Sequence, residues 1–184
     1  MAREDGRVRA ELAATGELYD GYAPRMAAVH DAHAAELARV IDAHGWPGRR
    51  LVGDDGADAA WLVLQHAIGH PALLRRALPL LARAAALGDV PAAHVAHLDD
   101  RIRAFEGRPQ RYGTQLDWDA HGVLSPLPLE DPARVDALRA EVGLGPLAAH
   151  VESVRATAGR PPADLAARER DARAWARRVG WRAD

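Results

Sequence analysis

The chain has 184 residues, enough for one domain with a sizeable buried core. Apolar residues make up 48% and charged residues 27%, which is the composition of a globular protein rather than a disordered one. The 24 basic and 26 acidic residues nearly cancel, so no basic field indicates a nucleic-acid partner. Every basic residue is arginine, and no lysine or asparagine occurs. Together with the high alanine content, this is typical of a GC-rich, actinobacterial genome. The absence of lysine excludes Schiff-base chemistry through a lysine amine.

Three further absences narrow the class of protein. Without cysteine there are no disulfides, thiolate metal sites or cysteine nucleophiles. The charged residues at the start are not followed by the apolar segment of a signal peptide. The longest run of large apolar residues, Trp61–Leu64, is too short to span a bilayer. We therefore expect a soluble, cytoplasmic protein with no membrane partner.

Helical spacing predicts four helices in the first half of the chain, over about residues 7–19, 24–44, 57–69 and 71–87. The first is the weakest prediction, because Leu12 and Leu18 are too sparse to form an apolar face. The third is apolar nearly all round at its centre, which is typical of a buried helix. The fourth contains Pro79, which removes a backbone hydrogen bond and should bend it.

The second half of the chain adds a short β-segment to further helices. A fifth helix runs from Pro91 to about Phe105, and three more follow near 131–142, 146–157 and 162–179. Between them, residues 110–118 and 123–127 alternate as strands do, around the turn at 119–122. The predicted fold is mainly α: a single-domain helical bundle over residues 1–184 with a small inserted β-hairpin.

Gln65 and His66 are polar residues at the end of the apolar third helix. Each needs a partner there, because an unsatisfied buried polar group costs about 1–3 kcal/mol. One interpretation is a core pair bonded to the backbone. The other is a pocket in which His66 is a general acid or base and Gln65 binds substrate, because the imidazole pKa lies near neutrality.

The fifth helix carries a polar stripe of His94, His97 and Arg101 beside its apolar stripe. The two histidines fit a solvated flank, whereas Arg101 requires a carboxylate partner wherever it enters the core. A helical wheel places Asp100 opposite the apolar stripe. Either the helix is irregular there, or Asp100 serves a neighbouring element. With His66, we take Arg101 and Asp100 as candidate catalytic residues.

The segment that follows this helix is rich in hydrogen-bonding groups. Its glycines let the backbone approach a ligand, and a strand would place alternate polar side chains on one face. Such groups suit a polar small molecule. The candidate substrate-binding residues of this segment are Glu106, Gln110, Tyr112, Thr114 and Gln115.

Metal and cofactor signals are weak. His66 and His70 have the spacing of two ligands on one helix face, with His94 or His97 as a third ligand. However, Gly69 and Pro71 indicate that the helix ends between them. Phosphate-binding, dinucleotide-binding and nucleophile-elbow motifs are missing. We expect no bound metal and no cofactor.

The order of several short motifs resembles that of a bacterial family of unknown function, over about residues 46–150. The resemblance rests on Gly45-Trp46-Pro47, on Trp61-Leu62 with Gln65-His66, on Asp100-Arg101, and on the run from Glu106 to Gln115. It implies no established activity. The family tends to show acidic residues and then a Gln after the Gln-His pair, where this chain has Ile68, His70 and Leu74. A carboxylate partner for His66 is therefore missing or replaced in this chain.

The sequence is compatible with two functions. The first is an enzyme in actinobacterial specialised metabolism that transforms a small polar metabolite by acid/base chemistry: hydrolysis, isomerisation, elimination or cyclisation. In that enzyme His66, Arg101 and Tyr112 would converge on one pocket. The second is a non-catalytic small-molecule binder, immunity-type protein or complex subunit. Its C-terminal helix, with Trp175 and Trp181, would then bind a protein partner or form a homodimer.

Overall fold

The helical spacing of the sequence corresponds to eight helices and one short hairpin in the part of the chain that the structure describes. The computed structural model describes residues 2–15 and 23–183. The elements are α1 (Ala2–Thr15), α2 (Pro24–His44), α3 (Arg49–His66), α4 (Pro71–Ala86), α5 (Ala92–Glu106), β1 (Leu116–Trp118), β2 (Leu124–Pro126), α6 (Val135–Glu141), α7 (Leu147–Thr157) and α8 (Leu165–Arg178). The fold is mainly α, and this prediction is confirmed.

The chain divides into two compact units. The first unit, Met1–Val90, contains α1 to α4, and the second unit, Pro91–Asp184, contains α5 to α8 and the hairpin. Each has its own fully buried leucines, such as Leu74 in the first and Leu98 in the second. That the whole chain forms a single domain stays a prediction. No helix among the described residues is long and apolar enough to cross a membrane.

Helix α1 is the element that the sequence predicted least well. It forms over Ala2–Thr15, whereas the expected range was 7–19; Leu18 lies outside the described residues. Two apolar residues one turn apart, Val8 and Leu12, are both buried and pack with Ala23 and Met26 near the start of α2. The contacts of these two apolar residues with α2 are enough to stabilise this otherwise polar helix, since tertiary packing outweighs a weak sequence pattern.

Helix α3 begins earlier than expected. Its first turn is tied to the end of α4: the Arg50 amide donates to Asp89 Oδ1 (2.8 Å), and the Arg49 side chain donates to the Gly88 carbonyl (2.6 Å). At Gly53 a positive φ of 73° interrupts the helical backbone. The predicted loop before residue 57 is therefore a kinked first segment of the helix, held by contacts that lie far away in the sequence.

The hairpin of the second unit is shorter than expected. Leu116, Asp117 and Trp118 pair antiparallel with Pro126, Ser125 and Leu124. Asp119 closes the predicted turn, because its Oδ1 accepts the amides of His121 (2.9 Å) and Val123 (3.0 Å). The strand predicted to begin at residue 110 is regular only from Leu116. Residues 110–115 adopt a different structure, described below.

The C-terminal tryptophans pack within their own unit. Trp181 is buried and stacks on Phe105 with ring centroids 5.1 Å apart, and the half-buried Trp175 lies 5.5 Å from the same ring. Phe105 belongs to α5, so these rings attach the end of the chain to that helix. Part of the surface that we expected to bind a partner through α8 is thus buried by packing within the same unit.

Candidate functional site

His66 ends α3 beside a carboxylate from the other end of the first unit. Its Nδ1 lies 2.9 Å from Oδ2 of Asp5, in the first turn of α1. The same Oδ2 lies 3.0 Å from Nε2 of His30, in the middle of α2. Three helices therefore bring one carboxylate and two imidazoles together. We call Asp5, His30 and His66 the Asp–His cluster.

The packing of α1 on α2 explains why these residues meet. Val8 packs toward Met26, and one turn further along Asp5 comes opposite His30. A second pair continues the same register, because Nε2 of His33 lies 3.0 Å from Oε2 of Glu4. Two acidic residues in the first turn of α1 are also favoured by the helix dipole. The apolar contacts fix how α1 is aligned along α2, and the acid–imidazole pairs form at the positions that this alignment brings together.

Burial separates the two imidazoles of the cluster. The side chains of Asp5 and His30 are 6% and 7% exposed, whereas that of His66 is 24% exposed. Burial lowers the pKa of His30, with the neighbouring His66 as the next cause, while Asp5 acts in the opposite direction. The two imidazole rings are 4.8 Å apart. His66 is thus the member of the cluster that a solute can reach.

The hydrogen bonds constrain the protons of both rings. An ionised carboxylate only accepts hydrogen bonds, so it pairs with the N–H form of His66 Nδ1 and of His30 Nε2. In His66 this leaves Nε2 as the lone-pair nitrogen when the ring is neutral. A carboxylate that fixes the tautomer and orientation of an imidazole is the arrangement found in acid/base catalysis.

Neither Asp5 nor His30 was a candidate in the sequence. The carboxylate partner of His66 is separated from it by 61 positions and lies on the helix that the sequence predicted least well. A signal for His30 did exist: it falls on the buried stripe of α2 with Met26, His33 and Leu37. An imidazole on an apolar stripe requires a polar partner.

The two other polar residues near the end of α3 have different surroundings. Gln65 is half-buried beside His66. His70 begins the next helix, and its Nε2 lies 2.8 Å from Oδ1 of Asp31, with both side chains substantially exposed. His66 and His70 therefore pair with different carboxylates, and the helix does end between them, as Gly69 and Pro71 indicated.

Asp100 organises the second unit. It is fully buried, and its two oxygens accept the amides of Arg111 (2.7 Å), Tyr112 (3.1 Å) and Thr114 (2.9 Å) and the Thr114 hydroxyl (3.0 Å). Residues 111–114 consequently form a loop around this carboxylate, not a strand, because the amides of a strand would instead join a ladder. The backbone of Gln110 pairs as an isolated bridge with Leu129. Gly113, with φ of 67°, turns the chain there. Asp100 serves a neighbouring element, one of the two alternatives drawn from the sequence.

Gln110 supports the same loop from inside. It is fully buried, and its side-chain amide donates to the carbonyls of Gln115 (3.0 Å) and Leu127 (2.8 Å). Its Oε1 accepts the Gln115 amide at 2.9 Å, and the Gln115 side chain donates to the Thr114 hydroxyl. These polar groups bind the protein itself, so the contacts of Asp100 and Gln110 are those of structural anchors. Catalytic and substrate-binding roles for them stay predictions.

The remaining candidates of the second unit lie around α5. Glu106 accepts two hydrogen bonds from Arg108, and Asp99 pairs with Arg103. Burial lowers the pKa of Arg101 and raises that of Tyr112. Burial, with Arg101 next, lowers the pKa of His97 to about 4, so this imidazole is neutral near pH 7.

These residues and the Asp–His cluster belong to different units. The cluster lies in Met1–Val90, whereas Arg101 and Tyr112 lie in Pro91–Asp184. The convergence of His66, Arg101 and Tyr112 on one pocket stays a prediction. An open cleft of about 680 Å³ on the second unit, lined by Pro126, Val135, Leu147 and Val151 among others, contains none of the predicted site residues.

Comparison with known protein families gives a match. The family of unknown function DUF6624 matches residues 4–161. The matched range begins well before the resemblance seen in the sequence and contains all three members of the Asp–His cluster. Searches of curated proteins and of solved structures found no significant match.

Proposed function

We propose that the chain, which belongs to the DUF6624 family of unknown function, is an enzyme that transforms a small polar metabolite by acid/base chemistry. The observation that carries the proposal is a buried carboxylate, Asp5, shared by two imidazoles of which only His66 is partly exposed. Hydrolysis, isomerisation, elimination and cyclisation all need such proton transfer. We further propose that the protein acts in the cytoplasm.

The roles follow from position. Asp5 holds the His66 ring through Nδ1, and Nε2 exchanges the proton with the substrate. His30 donates to the same carboxylate oxygen from the buried side and limits its movement. Asp5 and His30 are thus positioning residues, and His66 is the catalytic residue of this proposal.

A second function, docking of a protein partner through the C-terminal helix, has less support. The two tryptophans that would form the docking surface contact Phe105 of the same unit. In the cluster, by contrast, the exposed imidazole is already oriented by a buried partner. The geometry of the described residues therefore supports the enzymatic proposal better than it supports partner docking.

The test is turnover of polar metabolites by matched variants. Wild-type protein is incubated with a bacterial extract of polar metabolites, and changes in abundance are followed by mass spectrometry. We expect His66→Asn to slow the change by about 10²–10⁴-fold, the usual contribution of a general acid or base. His70→Asn makes the same chemical change at an exposed imidazole paired with Asp31 and should retain activity.

Two results would contradict the proposal. One is a His66→Asn protein that is folded and as active as His70→Asn. The other is wild-type protein that alters no metabolite but retains one on native mass spectrometry, which would favour a binding protein.

A further inference from the structure

We propose that the Asp–His cluster is a binding site for one divalent transition-metal ion of the zinc class. The ligands would be Asp5 Oδ2, His30 Nε2 and His66 Nδ1. The inference rests on the proposed function only in placing the reaction at the same cluster. It deepens that function by naming the cofactor that the cluster would take.

The distances between the three ligand atoms fit such an ion. Asp5 Oδ2 lies 2.9 and 3.0 Å from the two imidazole nitrogens, and all three atoms lie within 4.8 Å of one another. Zinc bonds of about 2.0–2.2 Å place two ligands of a tetrahedral ion roughly 3.4 Å apart. To surround one ion, the two distances to Asp5 Oδ2 would lengthen by about half an ångström, and the two imidazole nitrogens, which lie within 4.8 Å, would approach one another by up to about 1.4 Å.

The donor atoms select the class of metal. Two imidazoles and one carboxylate suit zinc and the other late divalent transition metals. Calcium and magnesium prefer oxygen ligands throughout. Three protein ligands also leave at least one position for water or a substrate atom, which is the feature that distinguishes catalytic zinc sites from structural ones. The partial exposure of His66 leaves the cluster accessible from one side.

Charge and burial favour the same conclusion. A buried carboxylate is costly unless a cation or good hydrogen bonds compensate it. Among the described residues, the imidazoles of His30 and His66 lie within hydrogen-bonding distance of the Asp5 carboxylate. A divalent ion would compensate Asp5 more fully than these rings do. The ligands come from α1, α2 and α3, and the apolar contact of α1 with α2 holds the carboxylate in place.

This inference departs from the expectation drawn from the sequence. That expectation considered His66 with His70, and these two pair with separate carboxylates. In the cluster, His30 lies 25 positions and His66 lies 61 positions from Asp5 in the sequence, so no short sequence motif indicates these three ligands. With the ion bound, the reaction of the proposed function would draw its base from a water ligand instead of His66 Nε2.

The experiment titrates chelator-treated full-length protein with Zn²⁺ by calorimetry and with Co²⁺ by visible absorption. We expect one ion per chain, and intense visible absorption bands that indicate a cobalt ion of low coordination number. Asp5→Asn and His30→Asn should weaken binding by more than the roughly 10–100-fold that loss of an outer partner costs. His70→Asn should bind like wild type. X-ray absorption of the zinc-loaded wild type should show two imidazoles, and this test does not depend on how well the variants fold.

The outcomes separate this inference from the proposed function. Absence of stoichiometric binding, or binding that His70→Asn weakens as much as Asp5→Asn does, would overturn the metal site. Metabolite turnover that persists in chelator would then still support the proposed function with His66 as base. Stoichiometric binding lost in the cluster variants supports the site even if no metabolite is turned over.

Discussion

Replacing Asp100 with asparagine should destabilise the protein substantially while leaving its shape almost unchanged. The carboxylate accepts three backbone amides and one hydroxyl inside a fully buried site. An asparagine keeps one oxygen, so the Arg111 and Tyr112 amides can still be satisfied. Its NH₂ group then faces the Thr114 amide, and two donors meet without an acceptor.

The magnitude follows from these contacts. One orphaned buried amide costs about 1–3 kcal/mol, and the hydrogen bonds that remain lose the strength that the ionised acceptor gave them. The smaller cost of burying a neutral amide offsets part of this loss. We expect Asp100→Asn to lower the free energy of unfolding by about 2–4 kcal/mol, a large fraction of the 5–15 kcal/mol typical of a domain.

The assay is chemical denaturation followed by circular dichroism, with Asp99→Asn as the control. Asp99 is the neighbouring residue, and its partner is the Arg103 side chain rather than a set of amides. Because burial raises the pKa of Asp99, a neutral asparagine there relieves part of the cost of burying a charge, and replacing Asp99 should cost less than replacing Asp100. If the two variants were equally stable, the argument that Asp100 holds the 111–114 loop would be refuted.

Three further changes test other parts of the structure. Stability contributed by neutral His97 is present above about pH 6.5 and is lost as the pH falls toward 4, because the unfolded chain then takes up a proton that the folded chain does not. The free energy of unfolding, measured by denaturation at pH about 7 and at pH about 4.5, should therefore fall between the two. After allowance for the partial exposure of His97, His97→Gln should reduce this fall by about 1–2 kcal/mol. Gly113→Ala should cost about 1–3 kcal/mol by thermal denaturation, because φ is 67° and the new Cβ would lie 2.7 Å from Leu147 Cδ1, whereas Gly159→Ala, with open space around it, should be neutral. Gln110→Ala should cost about 2–4 kcal/mol in the same assay, since its amide satisfies three backbone groups; a neutral result would contradict its role as an anchor.

Helical spacing was sufficient to predict most of the architecture. In α4, Leu74 and Leu81 are buried and Arg75 and Arg76 are exposed, which is the pattern of an amphipathic helix. Such patterns succeed because the neighbours that bury one face of a helix need only be apolar. Helix α1 was poorly predicted because its apolar face consists of two residues, and its stability depends on a partner helix.

The residues of the candidate site were harder to predict for a related reason. His66 was identified because a polar residue at the end of an apolar helix needs a partner. The partner, Asp5, could not be identified, since hydrogen bonds between distant helices follow from packing and leave no spacing in the sequence. The 110–115 segment was predicted as a strand because its polar residues alternate. The alternation is real, but a buried carboxylate takes the amides that a strand would have paired.

The sharing of Asp5 by two imidazoles is the geometric claim on which both proposals depend, and nitrogen NMR of the histidine rings tests it directly. In chelator-treated protein, His66 should show its proton on Nδ1 and His30 on Nε2, since these atoms face the Asp5 oxygen. Asp5→Asn should shift the signals of both rings and leave those of His70, which pairs with Asp31, unchanged. A His66 ring that carries its proton on Nε2 and does not respond to Asp5→Asn would contradict the account.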